Sequence, residues 1–244
     1  MNIISLGAGV QSTTMLLMAM HGEIEPMPDC AIFADTGWEP KAVYDHLAWL
    51  ESVSTIPIHR VSQGNIRADA LSGAKFPTMP LFIRGGMLRR HCTNQYKLRP
   101  IRREIRRLNG RNPTTMWLGI SLDEMHRMKP ANVQYIQNRW PLVEHRASRI
   151  DCLTWLERHG YPRPPKSACI GCPFRSTAEW AKLTAGEFAD AVEFDAAIRW
   201  VPKKTDPTYL HSSLQPLDMV DLRTEQDKGQ LDMWGNECTG LCGL

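Results

Sequence analysis

The sequence lacks any apolar run close to the roughly 18 residues that a transmembrane helix needs, and its first residues lack the basic and apolar regions of a signal peptide. We therefore expect a cytoplasmic protein that does not enter a membrane. It also lacks a strong charge imbalance, because 29 Lys and Arg face 26 Asp and Glu, for a net charge of +3. Net charge alone thus gives no argument for nucleic-acid binding.

A disulfide framework is not indicated either, because the seven cysteines are odd in number and accompany no export signal. Reduced thiols available for metal binding or catalysis are the better interpretation. Two of them fit the core instead. Cys30 lies in an apolar strand, and Cys152 lies in Ser148–His159, a predicted helix that a Ser-x-x-Asp capping pattern opens and Gly160 closes.

The length and composition predict one sizeable core. With 244 residues and 43% hydrophobic content, one α/β domain with an appendage is favoured over two equal domains. We place the α/β domain at residues 1–175 and a helical, cysteine-bearing extension at residues 176–244. The extension is predicted to begin with two helices, in which Phe188, Val192 and Ala196 follow a helical spacing and form a core face.

The first twelve residues predict a phosphate-binding turn. A short buried strand, Asn2–Ser5, is followed by a turn of small residues and a helix-length apolar stretch. Free N–H groups and the positive end of a helix dipole would favour an anion there without any lysine. The spacing fits neither the P-loop nor the dinucleotide fingerprint, so a tight turn without a ligand is the alternative. The residues of this predicted cradle are Ser5, Gly7, Ala8, Gly9, Gln11 and Ser12.

A second predicted strand, Cys30–Phe33, leads into Asp35, Thr36 and Gly37. Ligands of open α/β sheets bind at the carboxyl edge, where such a strand would present a carboxylate, a hydroxyl and closely approachable backbone. Asp35 is a candidate for contacting a ribose or a magnesium-bound water. Its alternative role is to cap the helix predicted at Lys41–Val53.

The stretch 84–111 is the most basic part of the chain, with ten Lys or Arg against one acid, Glu104. A helix is predicted here with an apolar face of Ile101, Ile105 and Leu108 and an opposite face of Arg102, Arg103, Arg106 and Arg107. Such a face predicts contact with phosphate or nucleic acid, against the simpler interpretation of a solvated surface.

Cys169 and Cys172 form a C-x₂-C pair that contains Gly171. The pair places two sulfurs on one tight turn, which core packing does not explain and a metal centre does. A thioredoxin-type redox pair is the alternative, but that motif begins a helix, whereas this one follows a proline-rich segment. Further thiols that could converge on the pair are Cys92, Cys238 and Cys242.

Together these motifs resemble the PP-loop superfamily, specifically its phosphoadenylyl-sulfate (PAPS) reductase-like branch. In chain order they are Ser5–Ser12, Phe33–Gly37, Arg90-x-Cys92-Thr93 with Lys97 and Pro100, Gly119-Ile-Ser with Asp123, Glu124 and Arg127, and the Cys169/Cys172 pair. The resemblance implies an adenine nucleotide α-hydrolase-like fold, in which helices flank a parallel five-stranded sheet and the nucleotide phosphates lie at Gly7–Ser12. A strand at Thr115–Ile120 would bring Gly119 and Arg127 to the same edge.

The resemblance implies, first, an ATP pyrophosphatase that inserts sulfur into tRNA or DNA. An acceptor oxygen would attack the α-phosphorus of ATP, pyrophosphate would leave with Mg²⁺, and sulfur would then displace AMP. A 4Fe–4S cluster on Cys92, Cys169, Cys172 and Cys238 would carry or activate sulfur, and the basic 84–111 stretch would seat the nucleic acid. A structural Zn²⁺ on the same thiols is the alternative.

It implies, second, a sulfonucleotide reductase that takes PAPS and uses Cys242 as its nucleophile. The tail matches the terminal Glu-Cys-Gly-Leu-His motif of such reductases imperfectly, since it lacks the histidine, and the roles of Cys238 and Cys242 could be exchanged. Gln11 stands where pyrophosphatases have an aspartate, which favours the reductase branch or a binding module without catalysis. A sulfur-donor protein and assembly as a homodimer are left open as further partners.

Overall fold

The computed structural model describes residues 1–72, 78–201 and 205–223. They form two compact units, each built from separate stretches of the chain. The first, the sheet unit, contains Met1–Asp35, Lys41–Gln63 and Tyr96–Ser167. The second, the cysteine unit, contains Thr36–Pro40, Gly64–Gln95 and the described residues from Ala168 onward. The division at residue 175 stays a prediction.

The elements alternate between strand and helix over much of the chain. The strands are β1 (Asn2–Leu6), β2 (Cys30–Asp35), β3 (Ile58–Ser62), β4 (Phe82–Ile83), β5 (Gly86–Met87), β6 (Thr114–Leu118) and β7 (Ile136–Arg139). The α-helices are α1 (Val10–Met20), α2 (Lys41–Val53), α3 (Ile66–Leu71), α4 (Arg99–Asn109), α5 (Pro141–Glu144), α6 (Arg149–Arg158), α7 (Thr177–Trp180) and α8 (Ala185–Ala197). A π-helical turn, Thr93–Leu98, precedes α4, and 3₁₀ turns lie at Leu122–Arg127 and Leu217–Met219.

The sheet unit is organised around a parallel sheet with the strand order β3-β2-β1-β6-β7. The central strand β1 pairs Ile4 with Ala31 of β2 on one side and with Trp117 of β6 on the other. Strand β2 is apolar except for Asp35, and β1 buries Ile3, Ile4 and Leu6, because a parallel sheet is buried on both faces. The predicted fold class, a parallel five-stranded sheet flanked by helices, is confirmed.

Two hydrophobic clusters cover the two faces of this sheet. On one face, Ile4, Phe33 and Trp117 pack with residues of α1, α2 and α6. On the other face, Ile3, Ile32 and Met116 pack with residues of α4. Helices on both faces leave the carboxyl ends of the strands as the open edge, which is where ligands of such sheets bind.

The edge strand β7 was not predicted. Its sequence, Ile136-Gln-Asn-Arg139, is mostly polar, and Ile136 is the one residue in it that is buried. An edge strand needs little apolar surface because it packs against a neighbour on one side. Its pairing with β6, in which Thr114 faces Ile136, therefore left almost no periodic signal.

The cysteine unit contains the antiparallel pair β4–β5 and the helices α3, α7 and α8. The predicted break between two helices is confirmed, since α7 and α8 each begin with a capping box, Ser176 with Glu179 and Thr184 with Glu187. None of the described helices is long and apolar enough to cross a membrane.

The predicted core face of α8 is wrong. The buried residues are Ala191, Phe194 and Asp195, whereas Ala196 is exposed. Asp195 accepts the backbone N–H groups of Leu210 at 2.8 Å and Leu217 at 3.1 Å, so a carboxylate occupies the buried face. A buried charge of this kind breaks the apolar periodicity from which a core face is inferred.

His46 on α2 makes the stability of the sheet unit depend on pH. Its side chain is 7% exposed, its Nε2 lies 3.0 Å from Thr13 Oγ1, and burial lowers its pKa from 6.5 to about 4. The folded state binds the proton more weakly than the unfolded state, so stability is full above pH 6.5 and falls as the pH drops towards 4. We expect the free energy of unfolding to fall by about 2 kcal/mol between about pH 6.5 and 5.

Urea unfolding of the wild type and of His46→Gln across this pH range would measure the contribution. The variant should lose most of the pH dependence, and His145→Gln, which changes an exposed histidine of the same unit, should keep it. If the free energy of unfolding changes with pH equally in the wild type and in His46→Gln, His46 does not cause the pH dependence.

Candidate functional site

The turn between β1 and α1, Gly7–Ser12, is held together by one hydroxyl, and we call it the phosphate loop. Ser12 Oγ accepts the N–H groups of Gly7 at 3.1 Å and Gly9 at 3.3 Å and donates to the Gly9 carbonyl at 3.3 Å. Ala8, between the glycines, has a φ of 54°. A left-handed residue here forms a concave backbone nest that binds anions. The predicted strand, small-residue turn and helix are confirmed.

The start of α1 supplies further donors. The first intrahelical bond runs from Thr13 N to Gly9 O at 2.9 Å, so the preceding amides of the helix have no intrahelical acceptor. Together with the positive end of the dipole of this 11-residue helix, they favour a phosphate. The end of β6 approaches this turn closely, since a Cβ on Gly119 would lie 2.9 Å from Ser12 N. The sequence prediction placed Gly119 at this edge, and the structure does so too.

Ser167 contacts the phosphate loop, although nothing in the sequence predicts a role for it. Its Oγ donates to the Gly7 carbonyl, and a Cβ on Gly9 would lie 3.4 Å from Ser167 Cβ. Both contacts span about 160 residues of sequence. The one signal that marked this serine was its position two residues before Cys169.

A polar chain extends from the loop to an ion pair. Gln11 Nε2 lies 3.5 Å from Ser121 Oγ and 3.4 Å from Glu124 Oε2, and Glu124 in turn pairs with Arg127 at 2.6 Å. Arg127 Nε is buried and has no hydrogen-bond partner among the described residues. Arg127 is thus held by Glu124 at the end of this chain of polar contacts. Asp123 has a different role, because it accepts the backbone N–H of Arg149 at the start of α6.

Ser5 and Asp35 lie on the central strands of the sheet unit. Ser5 in β1 is opposite Ile32 and Leu118. Asp35 is the last residue of β2, and the Tyr44 hydroxyl donates to its Oδ1 at 2.9 Å. The carboxylate is thus held at the carboxyl edge by a side chain from α2. Its contact with a ribose or a magnesium-bound water stays a prediction.

Thr36 and Gly37 belong to the cysteine unit. Thr36 is 1% exposed, and its Oγ1 lies 3.0 Å from Glu39 Oε1 and 3.2 Å from Cys169 Sγ. The Gly37 carbonyl accepts a bond from Asn65 Nδ2 at 2.6 Å. The structure therefore brings Thr36 to a thiol, and its predicted contact with a nucleotide stays a prediction.

The C-x₂-C pair lies on a tight turn, residues 169–172, which we call the cysteine turn. The N–H of Cys172 donates to the carbonyl of Cys169 at 3.1 Å. Arg175, which is 7% exposed, donates to three successive carbonyls of the adjoining backbone. The acceptors and distances are Ala168 O at 2.8 Å, Cys169 O at 3.0 Å and 3.2 Å, and Ile170 O at 3.0 Å. The turn is therefore fixed by the protein itself.

A carboxylate also faces the turn. Glu39 is 4% exposed, and its Oε1 lies 3.6 Å from Cys169 Sγ. The Cys169 thiol donates to this carboxylate, so a buried acid lies in direct contact with the cysteine turn.

Cys92 lies in the same unit, where its N–H donates to the Thr78 carbonyl at 2.9 Å. Among the described residues, Cys92, Cys169 and Cys172 do not form a group of three ligand atoms within 4.8 Å of one another. That spacing tests a single ion, whereas the thiolates of an iron–sulfur cluster bind separate irons. The other predicted cysteines, Cys238 and Cys242, lie outside the described residues.

The two predicted core thiols are confirmed. Cys30 is 2% exposed and Cys152 is 1% exposed. Burial raises the pKa of Cys30 to about 11 and that of Cys152 to about 12. Both thiols stay protonated near neutral pH and are unsuited to nucleophilic or metal chemistry.

The basic helix is α4, and its predicted faces are confirmed. Ile101 and Ile105 are buried, whereas Arg103, Arg106 and Arg107 are exposed. Arg107 bonds to Glu104 at 2.7 Å and 2.8 Å and thereby holds the pKa of that carboxyl down to about 2. Glu104 thus remains ionised and neutralises Arg107. Contact of this face with nucleic acid stays a prediction.

Replacing Ser12 by alanine should weaken anion binding at the phosphate loop. The change removes the oxygen that accepts the N–H groups of Gly7 and Gly9, so the loop loses its internal brace. We expect ATP to bind about tenfold more weakly, which corresponds to one net hydrogen bond. Titration with a fluorescent ATP analogue would measure it, with Ser52→Ala on the exposed side of α2 as the control. Equal affinity in wild type and Ser12→Ala would contradict the role assigned to Ser12.

No protein-family model matches the chain, and no curated protein matches it significantly. Among solved structures, it is similar to a phosphoadenylyl-sulfate (PAPS) reductase from Candida auris in complex with phosphate. The two are 11% identical with a TM-score of 0.46, and the match covers 67% of this chain and 74% of that one. The fold class rests on the sheet order described above.

Proposed function

We propose that the chain is a PP-loop enzyme that binds ATP and activates a nucleic-acid acceptor by adenylylation, for insertion of sulfur. The observation that carries the proposal is the phosphate loop. Ser12 organises the Gly7 and Gly9 amides, and Gly119 lets the end of β6 lie against the same turn. With the turn shaped in this way, the amides at the start of α1, which have no intrahelical acceptor, would bind phosphate without a lysine.

The side chains around the loop support a nucleotide with several phosphates. Arg127 lies in the polar chain that begins at Gln11 and pairs with Glu124. An arginine beside the loop would stabilise the charge that develops on a departing pyrophosphate. Asp35, held by Tyr44, would bind Mg²⁺ through a water molecule, and the ion would offset the negative charge of the phosphates.

The proposed reaction transfers the adenylyl group first. An oxygen of the acceptor attacks the α-phosphorus, the bond from that phosphorus to the bridging oxygen breaks, and pyrophosphate leaves with the electron pair. The outer sulfur of a persulfide on a donor protein then attacks the activated atom of the acceptor, and AMP leaves with the former acceptor oxygen. A second thiol of the donor protein cleaves the S–S bond that still joins donor and acceptor, so the donor ends as a disulfide and the acceptor keeps the sulfur. In the first step, the amides at the start of α1 and the Arg127 guanidinium would stabilise the negative charge that develops on the departing pyrophosphate. These groups act as hydrogen-bond donors and do not accept a proton in the reaction.

The thiols of the cysteine unit suit a metal centre in this reaction. Cys92, Cys169 and Cys172, with Cys238 as the fourth ligand, would hold a 4Fe–4S cluster, which would carry or activate the sulfur. Thiolates are the usual ligands of such clusters, and the rigid cysteine turn presents two of them. Zn²⁺ on the same thiols is the alternative occupant.

The acceptor that we propose is tRNA or DNA, bound in part through α4. Arg103 and Arg106 are exposed on the side of the helix opposite its buried residues. The double variant Arg103→Gln/Arg106→Gln should bind the nucleic acid with a weaker salt dependence. The slope of log affinity against log salt concentration should become shallower by about one for each phosphate contact that is lost. Lys182→Gln, which removes an exposed positive charge in the cysteine unit, is the matched control.

The test compares ATP and PAPS as ligands of the anaerobically purified full chain, and scores pyrophosphate and AMP against sulfite. Pyrophosphate that forms from ATP only when a tRNA or DNA acceptor is present supports the proposal. Sulfite that forms from PAPS and disappears in Cys242→Ser would replace it with a sulfonucleotide reductase. ATP binding without turnover would indicate a binding module. If neither nucleotide binds, the phosphate loop is only a tight turn.

A further inference from the structure

Two helices of the sheet unit are followed by the same dipeptide, His-Gly, in the same backbone geometry. His21 is the C-cap of α1 and is followed by Gly22 with a φ of 74°. His159 is the C-cap of α6 and is followed by Gly160 with a φ of 70°. A left-handed glycine after the C-cap reverses the chain and closes the helix end. Each helix therefore carries a histidine at its C-cap.

The residues after the two glycines close the ends in the same way. The N–H of Glu23 donates to Met18 O at 2.9 Å, and the N–H of Tyr161 donates to Leu156 O at 2.9 Å. These are the long-range bonds of a Schellman motif, and they fix where the side chains of Glu23 and Tyr161 start. His-Gly-Glu from one helix thus meets His-Gly-Tyr from the other.

The two ends place three metal-binding groups together. One ligand atom each from His21, Glu23 and His159 lie within 4.8 Å of one another, the one such group among the described residues. His159 Nε2 lies 3.9 Å from Glu23 Oε1. All three side chains are exposed, so an ion could enter from solvent and keep water as a further ligand.

Neighbouring groups orient each of the three side chains. His159 Nδ1 lies 2.8 Å from the Trp155 carbonyl, which can only accept, so Nδ1 carries the proton and Nε2 offers its lone pair. The Tyr161 hydroxyl lies 2.8 Å from His21 Nε2, and Trp155 Nε1 donates to both Glu23 oxygens at 2.9 Å and 3.0 Å. Metal-binding histidines are commonly oriented by such partners.

The electrostatics at this place favour a cation. The carboxyl ends of α1 and α6 both lie here, and each carries the negative pole of its helix dipole. Glu23 adds a full negative charge. Packing of rings explains part of the arrangement, since Trp155 and His159 stack with ring centroids 4.0 Å apart. Ring packing does not explain why the Glu23 carboxylate and the lone pair of His159 Nε2 lie side by side at the carboxyl ends of two helices.

We propose that His21, Glu23 and His159 form a binding site for a divalent transition metal of the zinc type. Two imidazoles and one carboxylate are donors that Zn²⁺ accepts, and they exclude Ca²⁺ and Mg²⁺, which prefer oxygen alone. Three protein ligands leave a coordination position open. The site uses residues outside the phosphate loop and the cysteine turn, and it stands independently of the function proposed above.

The experiment is a calorimetric titration of the chelator-treated full chain with ZnCl₂. Wild type is compared with His21→Gln and His159→Gln, and His145→Gln, an exposed histidine outside the cluster, is the control. All four proteins keep every cysteine, so zinc bound by thiols is common to them. We expect each of the two cluster variants to lose one equivalent of Zn²⁺, whereas the control keeps it. Circular dichroism would confirm that the variants remain folded.

A second measurement identifies the ligand type. Co²⁺ at a site of imidazoles and a carboxylate gives visible bands without thiolate charge transfer, and His159→Gln should remove those bands alone. Tyr161→Phe, which frees the His21 ring, should weaken binding by about tenfold. Zinc stoichiometry and affinity that are the same in wild type, His21→Gln and His159→Gln would overturn the proposal.

Discussion

Gly119→Ala should weaken the proposed ATP binding by about 100-fold. A Cβ at this position would lie 2.9 Å from Ser12 N, 3.0 Å from Ser12 Cα and 3.2 Å from the carbonyl carbon of Gln11. All three atoms are backbone, so no rotamer change can relieve the contact, and the first turn of α1 must move. Misaligning two hydrogen bonds to phosphate, each worth roughly 1.5 kcal/mol, reduces affinity by about 100-fold.

The same overpacking should lower the free energy of unfolding by about 1–3 kcal/mol. Gly186→Ala is the matched control, because nothing lies within 4 Å of a Cβ there and the change improves helix propensity in α8. Equilibrium ATP titration and urea unfolding on both variants would separate lost binding from lost folding. Normal ATP affinity in Gly119→Ala would mean that the phosphate site does not use the start of α1.

Gly171→Ala should disrupt the cysteine turn, because among the described glycines of the cysteine unit an added Cβ meets its closest contact here. The new Cβ would overlap Cη2 of Trp38 and lie 2.5 Å from its Cζ3. The Trp38 ring cannot turn away easily, because it is 5% exposed, its Nε1 donates to Asp190 at 2.5 Å, and it packs edge-on against Phe194. We expect the free energy of unfolding to fall by about 3 kcal/mol, the upper end for overpacking.

Metal content provides the functional measurement for this variant. If Cys169 and Cys172 bind a metal, displacing the turn should reduce the iron or zinc that copurifies with the protein. Trp38→Phe shortens the obstructing ring, so the double variant Gly171→Ala/Trp38→Phe should regain part of the lost stability. The free energy of unfolding lost on Gly171→Ala should therefore be smaller in the Trp38→Phe background than in the wild type. An equal loss in both backgrounds would show that contact with the Trp38 ring does not cause the destabilisation.

The sequence was most informative where the evidence is local. The phosphate loop joins a strand to a helix, and the strand, the turn of small residues and the start of the helix all lie within the first twelve positions. Each of the three parts has its own composition. Gly171 between two cysteines and the capping boxes before α7 and α8 are equally short patterns. For such features, spacing along the chain determines the geometry directly.

Features that depend on distant contacts left little or no signal. Ser167 bonds to Gly7, about 160 residues away, and an isolated serine has no pattern. Trp38 packs against Gly171, so the need for glycine there becomes visible once the two segments meet. The buried face of α8 was misjudged because Asp195 lies on it, paired with Arg199 and with two backbone N–H groups. A rule that expects apolar residues in a core cannot identify a paired carboxylate.

The histidine, glutamate and histidine of the proposed zinc site illustrate the same limit. His21 and Glu23 are separated from His159 by more than 130 residues, and neither segment contains a metal-binding motif. What connects them is the packing of α1 beside α6, a consequence of the buried faces of two helices. The ligand set became visible only when both helix ends were in place.

Arg175 has a consequence for the order in which the protein matures. It reaches the carbonyls of Ala168, Cys169 and Ile170 from inside the fold, so the cysteine turn acquires its shape when the polypeptide collapses. A metal bound by the proposed thiols would meet a turn whose backbone is already shaped, and would not have to fold that backbone around itself, unlike the metal in a zinc finger. Chelator treatment of a metal-loaded protein should therefore lower the unfolding midpoint, because a ligand of the folded state stabilises it, but should leave the chain folded and able to take up metal again without denaturation.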